Sequence, residues 1–250
     1  MGRKGERGHL KRKPAPKLWP IHRKEAVWTV MPKPGPHSLA RSLPLALVVR
    51  DILGFAKTAK EAKNILSKGL ISVDGKVRCD ERFLVGLMDV ISIEGTKKAY
   101  RVLPSGKGLY LSPIDPADAF KLYRIENKTV VKGGRMQLDL QDGTSFLVDS
   151  SDIENPATSY TTLDVLKLSV PDREILAYTK LSVGSPAVVI GGKNMGKSGT
   201  IDSIEKQADK KRRDLIVTLK DANGEQFQTI LDFVFILGDA EPLITVPEAK

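Results

Sequence analysis

Beyond about residue 105 the apolar residues stop recurring at helical spacing and fall into short alternating runs separated by turn dipeptides. Met136, Leu138 and Leu140 precede Asp142-Gly143 and then Phe146 and Val148; Leu215, Val217 and Leu219 precede Asn223-Gly224 and then Phe227. Alternation with turn signals at regular intervals restricts that stretch to small barrels or sandwiches. The 250 residues admit one large or two to three small domains, and 41% hydrophobic residues suffice to build real cores.

Several classes are excluded by what the chain lacks. Cys79 is the single cysteine, so neither a disulfide framework nor a CxxC zinc or redox pair can form. The longest apolar stretches, residues 43–49 and 233–237, fall far short of the ~20 residues that a membrane helix needs, and no membrane association is expected. Pro14, Pro16 and Pro20 interrupt the basic N-terminal segment where a signal peptide would carry its apolar core. His9, His22 and His37 are scattered, so no metal site is expected, and no paired-carboxylate or G-x-S-x-G signature supports catalysis.

The positive charge is concentrated. Residues 1–24 contain nine basic residues (Arg3, Lys4, Arg7, Lys11, Arg12, Lys13, Lys17, Arg23 and Lys24) and one acid, a net of +8, whereas the whole chain carries +10. Residues 105–175 are net acidic, which suits a scaffold or protein-facing role. So basic a segment, rich in glycine and proline, cannot bury enough surface to offset its ordering entropy, and alone it is expected to be disordered. Its Lys and Arg density points to a polyanion, since each phosphate neutralised releases counterions. Trp19 and Trp28 are the first large apolar anchors; each indole could stack on a base or pack against the next domain.

Residues 41–104 read as a helical, basic domain. Ser42 and Pro44 form a helix start, and Leu45, Val48, Val49, Ile52 and Leu53 run on to a stop at Gly54. Thr58 and Glu61 have capping-box spacing, after which Ala62, Ile65 and Leu66 share one face and Lys57, Lys60 and Lys68 the other, up to Gly69. Asp74-Gly75, between Ile71-Ser72-Val73 and Lys76-Val77-Arg78, predicts a tight hairpin, with a further strand over residues 89–93. Two helices, one with a basic face, followed by a hairpin resemble the α-L RNA-binding motif. By position the resemblance implicates Lys57, Lys60, Lys63, Lys68, Lys76 and Arg78 in RNA contact.

Residues 191–198, Gly-Gly-Lys-Asn-Met-Gly-Lys-Ser, satisfy G-x-x-x-x-G-K-S after an apolar strand, so a nucleotide site has to be weighed. A phosphate loop must feed a helix whose N-terminal amides face the anion. The following Gly-Thr-Ile-Asp-Ser-Ile alternates as a strand does, and only about 50 residues remain, too few for the helix-crossed parallel sheet of such NTPases. The segment resembles a KOW-type module instead, which implies Lys193, Asn194 and Lys197 as phosphate or sugar contacts and no nucleotide cofactor. The cluster at Lys206, Lys210, Lys211, Arg212 and Arg213 is either a second contact or a solvated hairpin tip.

Taken in order, Leu10-Lys11-Arg12, Pro16-Lys17-Leu18-Trp19, Gly35-Pro36-His37, Leu43-Pro44-Leu45, residues 74–78, residues 88–93 and residues 220–224 resemble the S4e family of small-subunit ribosomal proteins over essentially the full length. The resemblance implies a mostly-β α+β fold. Its expected parts are a basic N-terminal arm and linker (1–40), an α-L RNA-binding domain (41–104), a β-rich middle domain (105–175) and a KOW-type barrel with a C-terminal tail (176–250). It further implies a non-catalytic structural role on small-subunit rRNA in the cytoplasmic ribosome, neighbouring ribosomal proteins as partners, no cofactor, no homo-oligomer and an archaeal source. The alternative is a translation or RNA-modification factor carrying a KOW module.

Overall fold

The computed structural model describes residues 8–96, 98–116, 120–148, 160–205 and 211–246. Most regular structure is antiparallel β, and the chain divides into two compact units, residues 1–102 with 107–119 and residues 103–106 with 120–250.

In the first unit, residues 8–40 are folded, contrary to the disorder expected of an isolated arm. Strand β1 (Leu10–Lys11) pairs with β2 (Trp28–Thr29). Trp19 is 3% exposed and donates its indole N–H to the Ser42 carbonyl at 2.8 Å, while Ala15 is buried in the same core. The connecting loop is closed by side chains: the Arg23 guanidinium donates to the carbonyls of Arg12, Lys13, Ala15 and Pro16 at 2.8 to 3.0 Å. Composition misleads here because one indole and one guanidinium satisfy the backbone where no strand or helix does.

The first expected helix also begins differently. Residues Ser42–Pro44 form β3, fully buried and paired with β6 (Leu84–Gly86), and Pro44 is the extended N-cap of α1 (Leu45–Leu47). The Leu45 and Ala46 amides donate to the carbonyls of Phe83 and Glu81, so a neighbouring strand end rather than a side chain caps the helix. From Val48 to Ile52 the helix widens to π geometry, with Leu53 N–H reaching back five residues to Val48, and it ends at Gly54 with φ +69°.

Helix α2 (Ala59–Ser67) starts at the expected capping box. Thr58 Oγ1 accepts from Glu61 N–H at 3.2 Å, and the Glu61 carboxylate accepts from the Lys57 and Thr58 amides at 2.8 and 3.4 Å. Next come β4 (Ile71–Val73) and β5 (Lys76–Val77), joined through Asp74 and Gly75, both at positive φ as a type I′ turn requires. With β7 (Val90–Ile93), β8 (Lys98–Ser105) and β9 (Gly108–Ile114) they form a sheet in the order β5-β4-β7-β8-β9. Leu45, Leu47, Val49, Ala62, Leu66, Ile71 and Ile91 share its core. The hairpin β8–β9 carries this sheet past the expected boundary at 104/105, which falls within a strand.

The second unit holds two five-stranded antiparallel sheets. Strand β10 (Phe120–Val130) belongs to the first, with β11 (Met136–Leu140), β12 (Ser145–Val148), β13 (Val165–Ser169) and β14 (Ile175–Thr179) in the order β12-β11-β10-β13-β14. The register of β10 shifts between Ile125 and Asn127; one half pairs with β13 and the other with β11. The β13–β14 hairpin likewise runs through the expected boundary at 175/176. The second sheet is β18-β17-β16-β15-β19, built from β15 (Pro186–Val189), β16 (Ser198–Ile204), β17 (Ile216–Lys220), β18 (Gln226–Ile230) and β19 (Val234–Ile236). Arg124 on β10, 2% exposed, links the two sheets: it donates to the Asp232 and Val234 carbonyls at 2.7 and 3.2 Å and pairs with Glu126 at 2.6 Å. Among the described residues no helix is long and apolar enough to cross a membrane.

Candidate nucleic-acid interface

Helix α2 presents the charge ridge that its sequence periodicity requires. Ala62 and Leu66 are buried, Ile65 is half-buried, and Lys57, Lys60, Lys63 and Lys68 are all exposed. Among the described residues none of the four is held in an ion pair, so their charge faces solvent undiminished by contact with carboxylates. Lys76 extends the ridge from the adjoining hairpin, where it is exposed. Arg78 behaves differently. It is half-buried, with its guanidinium 4.3 Å from the Phe83 ring centroid, so part of its role is to pack.

A second group of cations lies on the N-terminal segment. Lys11, Lys13, Lys17 and Lys24 are exposed, whereas Arg12 and Arg23 are turned into the chain. Arg12 donates to the Trp28 and His22 carbonyls at 3.1 and 2.8 Å and approaches Glu25 at 3.5 Å. The structure therefore gives both arginines a folding role, and among the described residues the exposed cations of this segment are lysines. Arg3, Lys4 and Arg7 lie outside the described residues. Between this segment and α1–α2 lies an open depression of about 510 Å³, lined by Arg12, His22, Glu25, Arg50, Asp51 and Lys57. Its charge is mixed: Arg50 forms a bidentate pair with Asp51 at 2.7 and 2.9 Å, and that hydrogen bond holds the guanidinium pKa above its ordinary value.

The P-loop-like octapeptide closes the β15–β16 hairpin. Two of its amides bond within the hairpin, Gly196 N–H donating to the Val189 carbonyl and Lys197 N–H to that of Asn194, and the preceding Ile190 N–H donates to the Phe233 carbonyl. Two of its glycines have a packing reason. A Cβ on Gly191 would come within 3.0 Å of the Phe233 ring, and one on Gly196 within 2.6 Å of the Ser105–Gly106 backbone. A strand, β16, follows in place of a phosphate-facing helix. Of the three residues implicated here, Lys193 is exposed, Asn194 donates to the Gln228 carbonyl at 3.2 Å, and the Lys197 ammonium sits 5.3 Å from the Phe227 ring centroid. In the later basic cluster Lys206 and Lys210 lie outside the described residues, Lys211 and Arg212 are exposed, and Arg213 pairs with Glu126 at 2.8 Å.

Of three further features, the first settles which of two fates the sequence left open for an indole, and the other two have no signal in the sequence. Trp28 is 54% exposed; His37 is pinned to buried Asp89; Lys121 is wholly buried, 3.5 Å from Asp142 and 4.6 Å from the Tyr123 ring centroid. Among the described residues no group of three or more His, Cys, Asp or Glu side chains could hold a metal ion.

Known proteins supply independent observations. Residues 4–40 match the RS4NT domain, residues 44–91 the S4 domain, and residues 96–175 the model described as ribosomal family S4e. The chain is 49% identical over 251 residues to the small ribosomal subunit protein eS4 of Staphylothermus marinus, with 99% of each chain covered. It is 50% identical to that of Desulfurococcus amylolyticus, again with 99% of each covered, and 45% identical to that of Methanocaldococcus jannaschii, with 98% and 99% covered. The crystal structure of the 30S ribosomal protein S4e from Thermoplasma acidophilum superposes with a TM-score of 0.66 at 33% identity, covering 80% of this chain and 96% of that one.

Proposed function

Because this chain belongs to the ribosomal S4e family, we propose that it is a structural, non-catalytic constituent of the small ribosomal subunit in the cytoplasm, binding 16S-type rRNA and neighbouring ribosomal proteins. The observation that carries the reading is identity near one half, over almost the whole length, with proteins named as small-subunit components.

The lysine ridge supplies the physical means. Lys57, Lys60, Lys63, Lys68 and Lys76 are exposed, ammonium groups on flexible stems suit phosphates along an A-form backbone, and the deep major groove of RNA leaves shape and phosphate geometry as what a helix can read. Arg78 serves at the edge of that surface. Lys11, Lys13, Lys17 and Lys24 form the second cationic surface, on a loop closed by Arg12 and Arg23; Arg3, Lys4 and Arg7, outside the described residues, are assigned to RNA by their charge alone. The β15–β19 sheet is read as a KOW-type module whose loop offers Lys193 and Lys197 to RNA, with Asn194 fixing the loop. Its strand-to-strand turn, and glycines that allow close backbone packing, support that reading.

A tagged copy is expected to co-sediment in stoichiometric amount with small subunits through a high-salt wash; release into the supernatant would overturn the reading. For the ridge, replacing Lys57, Lys60, Lys63 and Lys68 with Gln should reduce the slope of log K against log salt for rRNA by about 0.7 to 0.9 for each phosphate that is no longer neutralised.

A further inference from the structure

The ribbon β1–β2 displays an aromatic side chain that the fold itself does not use. Trp28 is 54% exposed, and its neighbour Val27 is 61% exposed. The backbone beneath is held firmly: Lys11 and Trp28 are register partners, Arg12 N–H donates to the Val27 carbonyl at 2.9 Å, and Arg12 Nε donates to that of Trp28 at 3.1 Å. A rigid strand thus holds an indole in water.

Two side chains lie near the indole, one an ammonium and one an imidazole. The Lys11 ammonium is 5.9 Å from the ring centroid, and the His9 ring centroid is at 5.5 Å, tilted by 56°. A tilted neighbour does not cover the indole as a parallel ring would, so a stacking partner can come from outside the chain. Lys13 and Lys24 are exposed on the same segment. Flat apolar surface beside an ammonium group, on a segment with further exposed lysines, fits a ligand that is itself a flat ring on an anionic tether.

Resting on the rRNA reading above, we propose that Trp28 is a stacking platform for an unpaired RNA base, with Lys11 holding the adjoining phosphate. Proteins that bind single-stranded nucleic acid combine stacked aromatics with backbone-tracking cations in this way, and stacking tolerates any base because each presents a π face. An apolar protein neighbour would need no ammonium at the rim of the indole.

Fluorescence isolates the site, because the chain has two tryptophans and Trp19 is buried. The full-length protein is titrated with a mixed-sequence single-stranded 12-nucleotide RNA and, separately, with inorganic polyphosphate, which carries the charge without the bases. The RNA should quench the solvent-exposed, red-shifted emission, and polyphosphate should bind without doing so. Trp28→Ala should weaken RNA binding about tenfold and leave polyphosphate binding unchanged, whereas Trp28→Phe should retain most of the affinity. Equal quenching by polyphosphate, or RNA affinity unaltered in Trp28→Ala, overturns the stacking site while leaving the rRNA reading intact. A Trp28→Ala chain that fails to enter small subunits although its RNA affinity is unaltered would identify a protein neighbour instead and also overturn it. No binding of the wild-type chain to rRNA at low salt would sink both proposals.

Discussion

The imidazole of His37 occupies the space where a side chain on Gly86 would stand: a Cβ there would lie 2.4 Å from the ring Cγ. The ring cannot swing away freely, because its Nε2 contacts both carboxylate oxygens of buried Asp89 at 2.9 and 3.0 Å, and Asp89 also accepts the Gly86 N–H at 2.8 Å. Gly86→Ala should therefore cost about 1 to 3 kcal/mol of stability, the usual penalty of overpacking. Urea denaturation measures it. In a His37→Ala background the same substitution should cost little, and an undiminished penalty there would show that the clash lies elsewhere.

Trp19→Phe keeps a ring in the core but removes the donor to the Ser42 carbonyl. Leaving that acceptor unsatisfied should cost about 1 to 3 kcal/mol. Amide hydrogen exchange should accelerate first in residues 8–40, the segment this indole anchors.

Arg23→Ala should lower stability by about 2 kcal/mol, since hydrogen bonds from a charged donor are among the stronger ones. Arg23→Lys should restore only part of it, because an ammonium has three donors and no planar fork, whereas four carbonyls converge on the guanidinium. Thermal melts of the three proteins rank them.

Helix α2 should weaken on acidification. The Lys57 and Thr58 amides donate to the Glu61 carboxylate and hold its pKa below the ordinary glutamate value. The unfolded chain then binds the proton more readily than the folded one. The contribution of Glu61 is thus complete above the unfolded pKa and disappears as pH falls through the lower folded one. Glu61→Gln should flatten stability against pH in that interval, and superimposable wild-type and variant curves would contradict the assignment.

Local patterns in the sequence proved legible where the backbone bonds to itself or to an adjacent side chain. Thr58 and Glu61 marked the start of α2, Asp74-Gly75 marked a type I′ turn, and the runs around Asp142-Gly143 and Asn223-Gly224 became the hairpins β11–β12 and β17–β18. The exposure of Lys57, Lys60 and Lys68 on and beside α2 followed from helical period, whereas Lys63 was indicated only by the resemblance to the α-L motif. Illegible were the features that depend on partners distant in sequence. Ser42–Pro44 is a strand because residues 84–86 pair with it, and residues 8–40 fold because Trp19 and Arg23 find carbonyls that no periodicity announces. Arg124 and Lys121 break the apolar alternation of β10 yet are buried; Arg124 meets carbonyls more than 100 residues away, and Lys121 meets Asp142.

The four-carbonyl clasp made by Arg23 bears on the calorimetry of assembly. A segment that must condense from a random coil on its target releases structured hydration as it does so, and its association carries a large negative heat-capacity change. Residues 8–40 already have the Trp19 indole sequestered and their loop closed before any target arrives, so docking should register mainly as ion exchange, with only the small negative heat-capacity change of covering Trp28.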